Sequence, residues 1–117
     1  MKTILVVDDE DYFAKSIEAT LDPKKYKVIS AKDGEEGLKM IWQAPPDAIL
    51  LDINMPNMNG LEMLKKLNAN KIPVIITSNL SSRDIISEGV ALGVRGYIVK
   101  SDESPHTIAD VIENLFR

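Results

Sequence analysis

The sequence predicts an α/β domain: five parallel strands in one doubly wound sheet, flanked on both faces by five helices. Three observations carry that reading. Five short apolar runs punctuate the chain: Ile4–Val7, Tyr26–Ala31, Ala48–Leu51, Val74–Thr77 and Tyr97–Val99. Segments with a helical hydrophobic period lie between and after them. The strand–helix unit recurs about every 22 residues, and alternating units of this kind build a parallel sheet.

Each element has its own justification. Ile4–Val7 is apolar without alternation, as suits a strand covered on both faces. Phe13, Ile17 and Leu21 fall at four-residue steps and mark the first helix. Tyr26–Ala31 is the second strand. Asp33 and Glu36 form a capping-box pattern before the second helix, in which Leu38, Ile41 and Trp42 make the stripe. Pro45-Pro46 closes that helix, and Ala48–Leu51 follows as the third strand. Asn59 and Glu62 repeat the capping pattern before Leu61, Leu64 and Leu67. Val74–Thr77 is the fourth strand. The fourth helix, from about Ser81 to Leu92, has the poorest pattern, because Gly89 interrupts it. After Tyr97–Val99, Ser104 and Pro105 read as an N-cap and first helical residue, leading into the stripe Ile108, Val111, Ile112 and Leu115.

Composition narrows the function. A chain of 117 residues is the length of one domain, 1–117, with no visible linker, repeat or low-complexity stretch. The absence of cysteine excludes disulfides, zinc ribbons, iron–sulfur clusters and thiol nucleophiles. A single histidine excludes a histidine-rich metal site. The net charge of −4 and a pI near 4.9 argue against direct nucleic-acid binding. The N-terminal apolar stretch is too short for a signal peptide, and no run approaches the ~20 residues that span a bilayer. The expected address is therefore the cytoplasm, and the sequon Asn79-Leu80-Ser81 is taken as chance.

Five strands fit the flavodoxin-like order 2-1-3-4-5, in which the topology reverses between the first and third strands. Ligands then gather at the C-terminal ends of those two. The first ends in Asp8-Asp9 and the third in Asp52. Three convergent carboxylates repel without a cation, and a hard divalent ion such as magnesium (Mg2+) resolves the conflict while keeping positions for phosphate oxygens. The plainer reading is that an aspartate at a strand end caps the next helix, and for Asp9, with Glu10 and Asp11 behind it, that reading stands equally. Thr77-Ser78 ends the fourth strand and Val99-Lys100 the fifth, adding a hydroxyl and an ammonium to the same edge. Carboxylates, a hydroxyl and an amine suit phosphoryl transfer to a carboxylate, giving an aspartyl phosphate.

At these residues the chain resembles the receiver domain of bacterial two-component response regulators, over its whole length. The resemblance is carried by Val6-Val7-Asp8-Asp9-Glu10, Leu50-Leu51-Asp52-Ile53-Asn54-Met55-Pro56, Asn59-Gly60, Thr77-Ser78 and Tyr97-Ile98-Val99-Lys100. It implies that Asp52 is the phosphoacceptor. It implies that Asp8 and Asp9 bind magnesium, joined by Asp52 and the backbone carbonyl of Asn54, with the Asn54 side chain near the phosphoryl group. It further implies that Lys100 and Thr77 contact phosphoryl oxygens, and that the Tyr97 rotamer follows Thr77. Pro56 and Gly60 would shape the loop after the acceptor, although Gly60 reads equally as an early-helix glycine. The donor would be a sensor histidine kinase or a histidine phosphotransfer protein. The output face would be the fourth helix, fifth strand and fifth helix, on a monomer or weak dimer, and the domain would catalyse only its own phosphorylation and dephosphorylation. The family often has proline after the lysine, with a cis bond. Here Ser101 stands there, and a cis bond before serine costs roughly 2.5–4 kcal/mol, which leaves the loop shape open.

Other residues have plainer readings, and other functions fit less well. His106 falls in the first turn of the last helix and reads as a surface residue. Met55, Met58 and Met63 read as packing or loop residues, Tyr97 alternatively as an ordinary strand tyrosine, and Asn79 with Asn54 as an influence on hydrolysis. Ser78 is small enough to leave the acceptor accessible, and Trp42 lies away from Asp52. A magnesium-dependent phosphohydrolase with an aspartate nucleophile would need an acid where Asn54 stands. A flavin module would need a phosphate loop where Asp8 and Asp9 stand. A degenerate receiver acting as a scaffold would not need the complete set. Whether the chain acts alone or belongs to a longer one stays open at this point.

Overall fold

A computed structural model describes residues 1–53, 60–67, 72–78, 83–101 and 103–116. Five strands alternate with five helices: β1 (Lys2–Val7), α1 (Asp11–Thr20), β2 (Tyr26–Ala31), α2 (Gly34–Gln43), β3 (Ala48–Asp52), α3 (Gly60–Lys66), β4 (Val74–Ser78), α4 (Arg83–Ala91), β5 (Gly96–Val99) and α5 (Pro105–Asn114). The strands pair parallel in the order β2-β1-β3-β4-β5, as the sequence predicts.

The unbroken apolar runs follow from layers on both faces. Successive strand residues point to opposite sides, so each side needs its own apolar set. Leu5, Val7, Ile49, Leu51 and Ile76 pack on one face with Leu38 and Ile41 of α2 and Met63 and Leu64 of α3. Ile4, Val6, Leu50, Ile75 and Ile98 pack on the other with Phe13 and Ile17 of α1 and Ile108 and Ile112 of α5. The two edge strands, β2 and β5, are less covered: Lys27 and Ser30 of β2 are exposed, and of β5 only Ile98 is buried.

The caps fall where the sequence places them. The Asp33 carboxylate accepts from the Glu36 N–H at 2.9 Å, and Ser104 Oγ accepts from the Thr107 N–H at 3.2 Å, with Pro105 opening α5. Helix α2 stops at Gln43, before Pro45-Pro46. Asn59 of the third capping pattern lies outside the described residues. Trp42 departs from expectation. The buried face of α2 is Gly34, Gly37, Leu38 and Ile41, and Trp42, one step round the helix, is exposed.

Gly89 is the reason α4 looks irregular in sequence. A Cβ there would lie 2.5 Å from Ile76 Cδ1, so its absence lets the helix sit close against β4. The helix then ends in a Schellman motif. The Val94 N–H donates to the Gly89 carbonyl at 3.1 Å, the Gly93 N–H donates to the Val90 carbonyl at 3.0 Å, and Gly93 takes the left-handed φ of +88°. Tight packing at one glycine and a left-handed turn at another replace the missing periodic signal.

Candidate functional site

The strand order brings four chemically active residues to one edge. Asp8 directly follows β1, Asp52 ends β3, Thr77 pairs with Asp52 in register on β4, and Lys100 directly follows β5. All three of Asp8, Asp52 and Thr77 are buried, at 4%, 5% and 1% exposure. Burial at the end of a packed strand holds each backbone, so the side chains meet at set positions.

Lys100 joins them. Its backbone N–H donates to the Ser78 carbonyl at 2.7 Å, which ties the residue to β4. Its side chain is only 5% exposed, and Nζ donates to Asp8 Oδ2 and, at 3.3 Å, to Asp52 Oδ2. Burial alone lowers the pKa of an ammonium. Here the hydrogen bond to Asp8 and the charges of Asp52 and Asp8 outweigh it, and Lys100 is held above the ordinary lysine value. The ring of Phe13 adds a third partner, its centroid 4.7 Å from Nζ. A buried ammonium between two buried carboxylates meets part of the demand for positive charge that the acids alone create.

The acids also form a group open to solvent. One carboxylate oxygen each from Asp8, Asp9 and Glu10 lies within 4.8 Å of the others, with Asp9 and Glu10 exposed at the rim. Asp8 Oδ1 accepts from the Glu10 N–H at 2.9 Å. Asp9 does not cap α1: the N-cap position belongs to Glu10, without a side-chain cap bond. An all-oxygen, anionic donor set suits a hard divalent ion such as magnesium. Asp52 stands across from this trio, with Lys100 between it and Asp8.

Thr77 Oγ1 has no hydrogen-bond partner among the described residues, although it is fully buried. A hydroxyl in that state lacks an acceptor oxygen, and its strand register places it beside Asp52. Gly60 lies close against the end of β3. A Cβ on Gly60 would lie 2.6 Å from the Asp52 carbonyl oxygen and 2.7 Å from Ile53 Cα. Its N–H donates to the Ile53 carbonyl at 3.3 Å. Gly60 is the first residue of α3, as its reading as an early-helix glycine expects; the loop it would shape, 54–59, lies outside the described residues.

Other predicted residues fall apart from this cluster. Tyr97 pairs with Ile76 in register, one step before Thr77, and is half-buried against the α2–α3 face. His106 is exposed on α5, and Met63 is fully buried in the core rather than lining a site. Asn54, Met55, Pro56, Met58, Asn59 and Asn79 lie outside the described residues. No cis peptide bond occurs among the described residues, the Lys100–Ser101 bond included. Sequence reasoning missed two neighbours. Glu10 joins the acidic group, and its adjacency to Asp8-Asp9 is the signal that would have found it. Its carboxylate also accepts a hydrogen bond from the exposed Tyr12 hydroxyl, which raises the Tyr12 pKa. Phe13 was read only as core, yet it borders Lys100; the first stripe residue of the helix after the acids is the place to look.

Comparisons with known proteins agree with the fold. A family model described as a response regulator receiver domain matches residues 4–113. The response regulator GtcR of Aneurinibacillus migulanus is 36% identical over 119 residues, covering 99% of this chain and 48% of GtcR. The transcriptional regulatory protein PrrA of Mycobacterium tuberculosis is 37% identical over 111 residues, covering 93% of this chain and 46% of PrrA. The chain thus spans about half the length of these curated relatives. Among solved structures, chemotaxis protein CheY4 of Vibrio cholerae superposes with a TM-score of 0.87 at 30% identity, covering 97% of this chain and 98% of CheY4.

Proposed function

The chain belongs to the response regulator receiver domain family of two-component systems, and on that premise we propose that it is a switch thrown by phosphorylation of Asp52. The donor is a phosphohistidine on a sensor histidine kinase or a phosphotransfer protein. An Asp52 carboxylate oxygen attacks phosphorus, the new O–P bond forms as the P–N bond breaks, and the imidazole leaves with the electron pair and takes a proton from solvent. The product is an acyl phosphate with three strong acceptor oxygens and about −1.5 to −2 charge.

The observation that carries this reading is Lys100, buried and clamped between Asp8 and Asp52 beside a buried Thr77 hydroxyl with no partner among the described residues. The ammonium neutralises a phosphoryl oxygen, and the Thr77 hydroxyl donates to another. Magnesium would be held by Asp8, Asp9 and Asp52 with the Asn54 carbonyl, and when bound it supplies charge neutralisation at the transferring oxygens. Drawing Thr77 inward leaves space beside β4 into which Tyr97 turns. The change selects a pre-existing state of the α4-β5-α5 face, which a downstream protein reads.

Residues 1–117 then act as one receiver unit, monomeric or weakly dimeric, without direct nucleic-acid contact of their own. No described helix is long and apolar enough to cross a membrane, and we place the chain in the cytoplasm, where such kinases act on their partners. Turnover is confined to its own phosphorylation and dephosphorylation. The phosphohydrolase alternative lacks an acid at Asn54, and the scaffold alternative leaves the Lys100 clamp without a purpose. Intact-protein mass after incubation with acetyl phosphate, with and without magnesium and beside Asp52→Asn, tests the reading. Gain of one phosphoryl group that needs both magnesium and Asp52 supports it. No gain, with no change in backbone chemical shifts on adding beryllofluoride, overturns it in favour of the scaffold.

A further inference from the structure

We propose that Phe13 is a positioning residue for Lys100: the face of its ring holds the ammonium at the depth from which it passes to an incoming phosphoryl oxygen. The inference rests on the reading of Asp52 as phosphoacceptor, and it assigns a part to a residue that sequence placed only in the core. Among the described residues, Asp8, Asp52 and the Phe13 ring surround Lys100 Nζ. Two of them are carboxylates. When Asp52 becomes an acyl phosphate its negative charge moves out onto the phosphoryl oxygens, and the ammonium must follow it there. Asp8 continues to draw Nζ toward β1 and away from the transferred group.

The ring opposes that drift without competing for the product. An aromatic face attracts a cation through its quadrupole, yet has no lone pair to rival a phosphoryl oxygen. Phe13 is itself held: it is 5% exposed and packs in the cluster that contains Ile108, Ala109 and Ile17. It also borders, with Tyr12, Ser16 and Lys100, a cleft of about 450 Å³ between α1 and the start of α5. The ring and the lysine thus border the same cleft. Leucine at this position would fill much of the volume but offer the cation nothing.

The test replaces Phe13 site-specifically with phenylalanines carrying increasing numbers of ring fluorines, which deplete the quadrupole at nearly constant shape. Phe13→Leu and Phe13→Tyr are made alongside. Phosphorylation by acetyl phosphate with magnesium gives the rate, thermal melting reports the fold, and NMR of the Lys100 ε-protons reports the ring-current shift. The rate is expected to fall stepwise along the fluorine series, by about three- to tenfold in total, with melting unchanged. Phe13→Tyr is expected to retain the rate and Phe13→Leu to lose both rate and ring-current shift. Equal rates across the fluorine series overturn the proposal. A wild-type chain that takes no phosphoryl group while keeping the ring-current shift shows a different failure: the contact is real, but the reading of Asp52 falls and the role of Phe13 with it.

Discussion

Replacing Gly60 with alanine sets two opposing effects against each other at the acceptor. Alanine favours a helix over glycine by about 1 kcal/mol in a helix interior, and by less at the first residue of α3. Against this, the new Cβ would lie 2.6 Å from the Asp52 carbonyl oxygen and 2.7 Å from Ile53 Cα. Ordinary contact needs roughly 3.5–4.0 Å, so each approach is short by about 1 Å. The obstacles are backbone atoms at the end of a central strand, and no side-chain rotation relieves them. Forcing such a group into packed structure costs about 1–3 kcal/mol, and the steric effect wins.

The expected net loss is about 1–2 kcal/mol, read as a fall in melting temperature of roughly 4–8 °C for a chain of this size. The strain is relieved by moving the Asp52 peptide, which alters the 3.3 Å contact between Asp52 and Lys100. Phosphorylation by acetyl phosphate should therefore slow by about tenfold or more, since misplacement of about 1 Å is costly in a positioned reaction. Gly93→Ala is the control. Its Cβ meets nothing within 4 Å, but the φ of +88° penalises alanine by about 1 kcal/mol. It should lower melting without slowing phosphorylation. A Gly60→Ala protein that melts at or above the wild type and is phosphorylated at the same rate would refute the reasoning.

Thr77→Val replaces a buried hydroxyl that has no partner among the described residues with a methyl group, and is expected to raise the stability of the unphosphorylated chain by about 1 kcal/mol in urea denaturation. The same variant, and Lys100→Ala, should accept some phosphoryl group yet lose the chemical-shift response of α4 and α5; a wild-type response in either contradicts the switch. Lys100→Met leaves Asp8 and Asp52 buried without their ammonium and should cost about 3–5 kcal/mol. Because the folded pKa of Lys100 is raised, its stabilising effect is complete below the unfolded value of about 10.4 and is lost as pH rises through the folded value. The stability gap between wild type and Lys100→Met, measured by denaturation, should hold level from pH 7 to 9 and narrow only in stronger alkali; a gap that closes near neutrality would contradict the assignment of charge.

The strands were legible because each inner strand must be apolar on both faces, and Ile4–Val7 and Ala48–Leu51 have no other use for such runs. The caps at Asp33 and Ser104 were legible because they satisfy backbone groups within three residues. Helix α4 was poorly legible, because what permits it is the space beside Ile76 that Gly89 leaves open, and no periodicity records a space. Trp42 was misplaced for a related reason: a one-step rotation about the α2 axis separates the buried stripe from the exposed side.

The site divides in the same way. Sequence by itself determined which residue types end each strand, and hence that Asp8, Asp9, Asp52, Thr77 and Lys100 share one edge once the strand order is known. Those are local choices repeated at a regular interval, and alternation alone turns them into a parallel sheet. Only the tertiary structure decided the pairings. Lys100 reaches Asp8 across 92 positions of sequence, Phe13 lends its ring to the same ammonium, Glu10 joins Asp8 and Asp9 in one group of carboxylates, and the Thr77 hydroxyl has no partner among the described residues. Contacts at that separation depend on strand twist, helix depth and side-chain direction acting together, and a linear pattern carries none of the three.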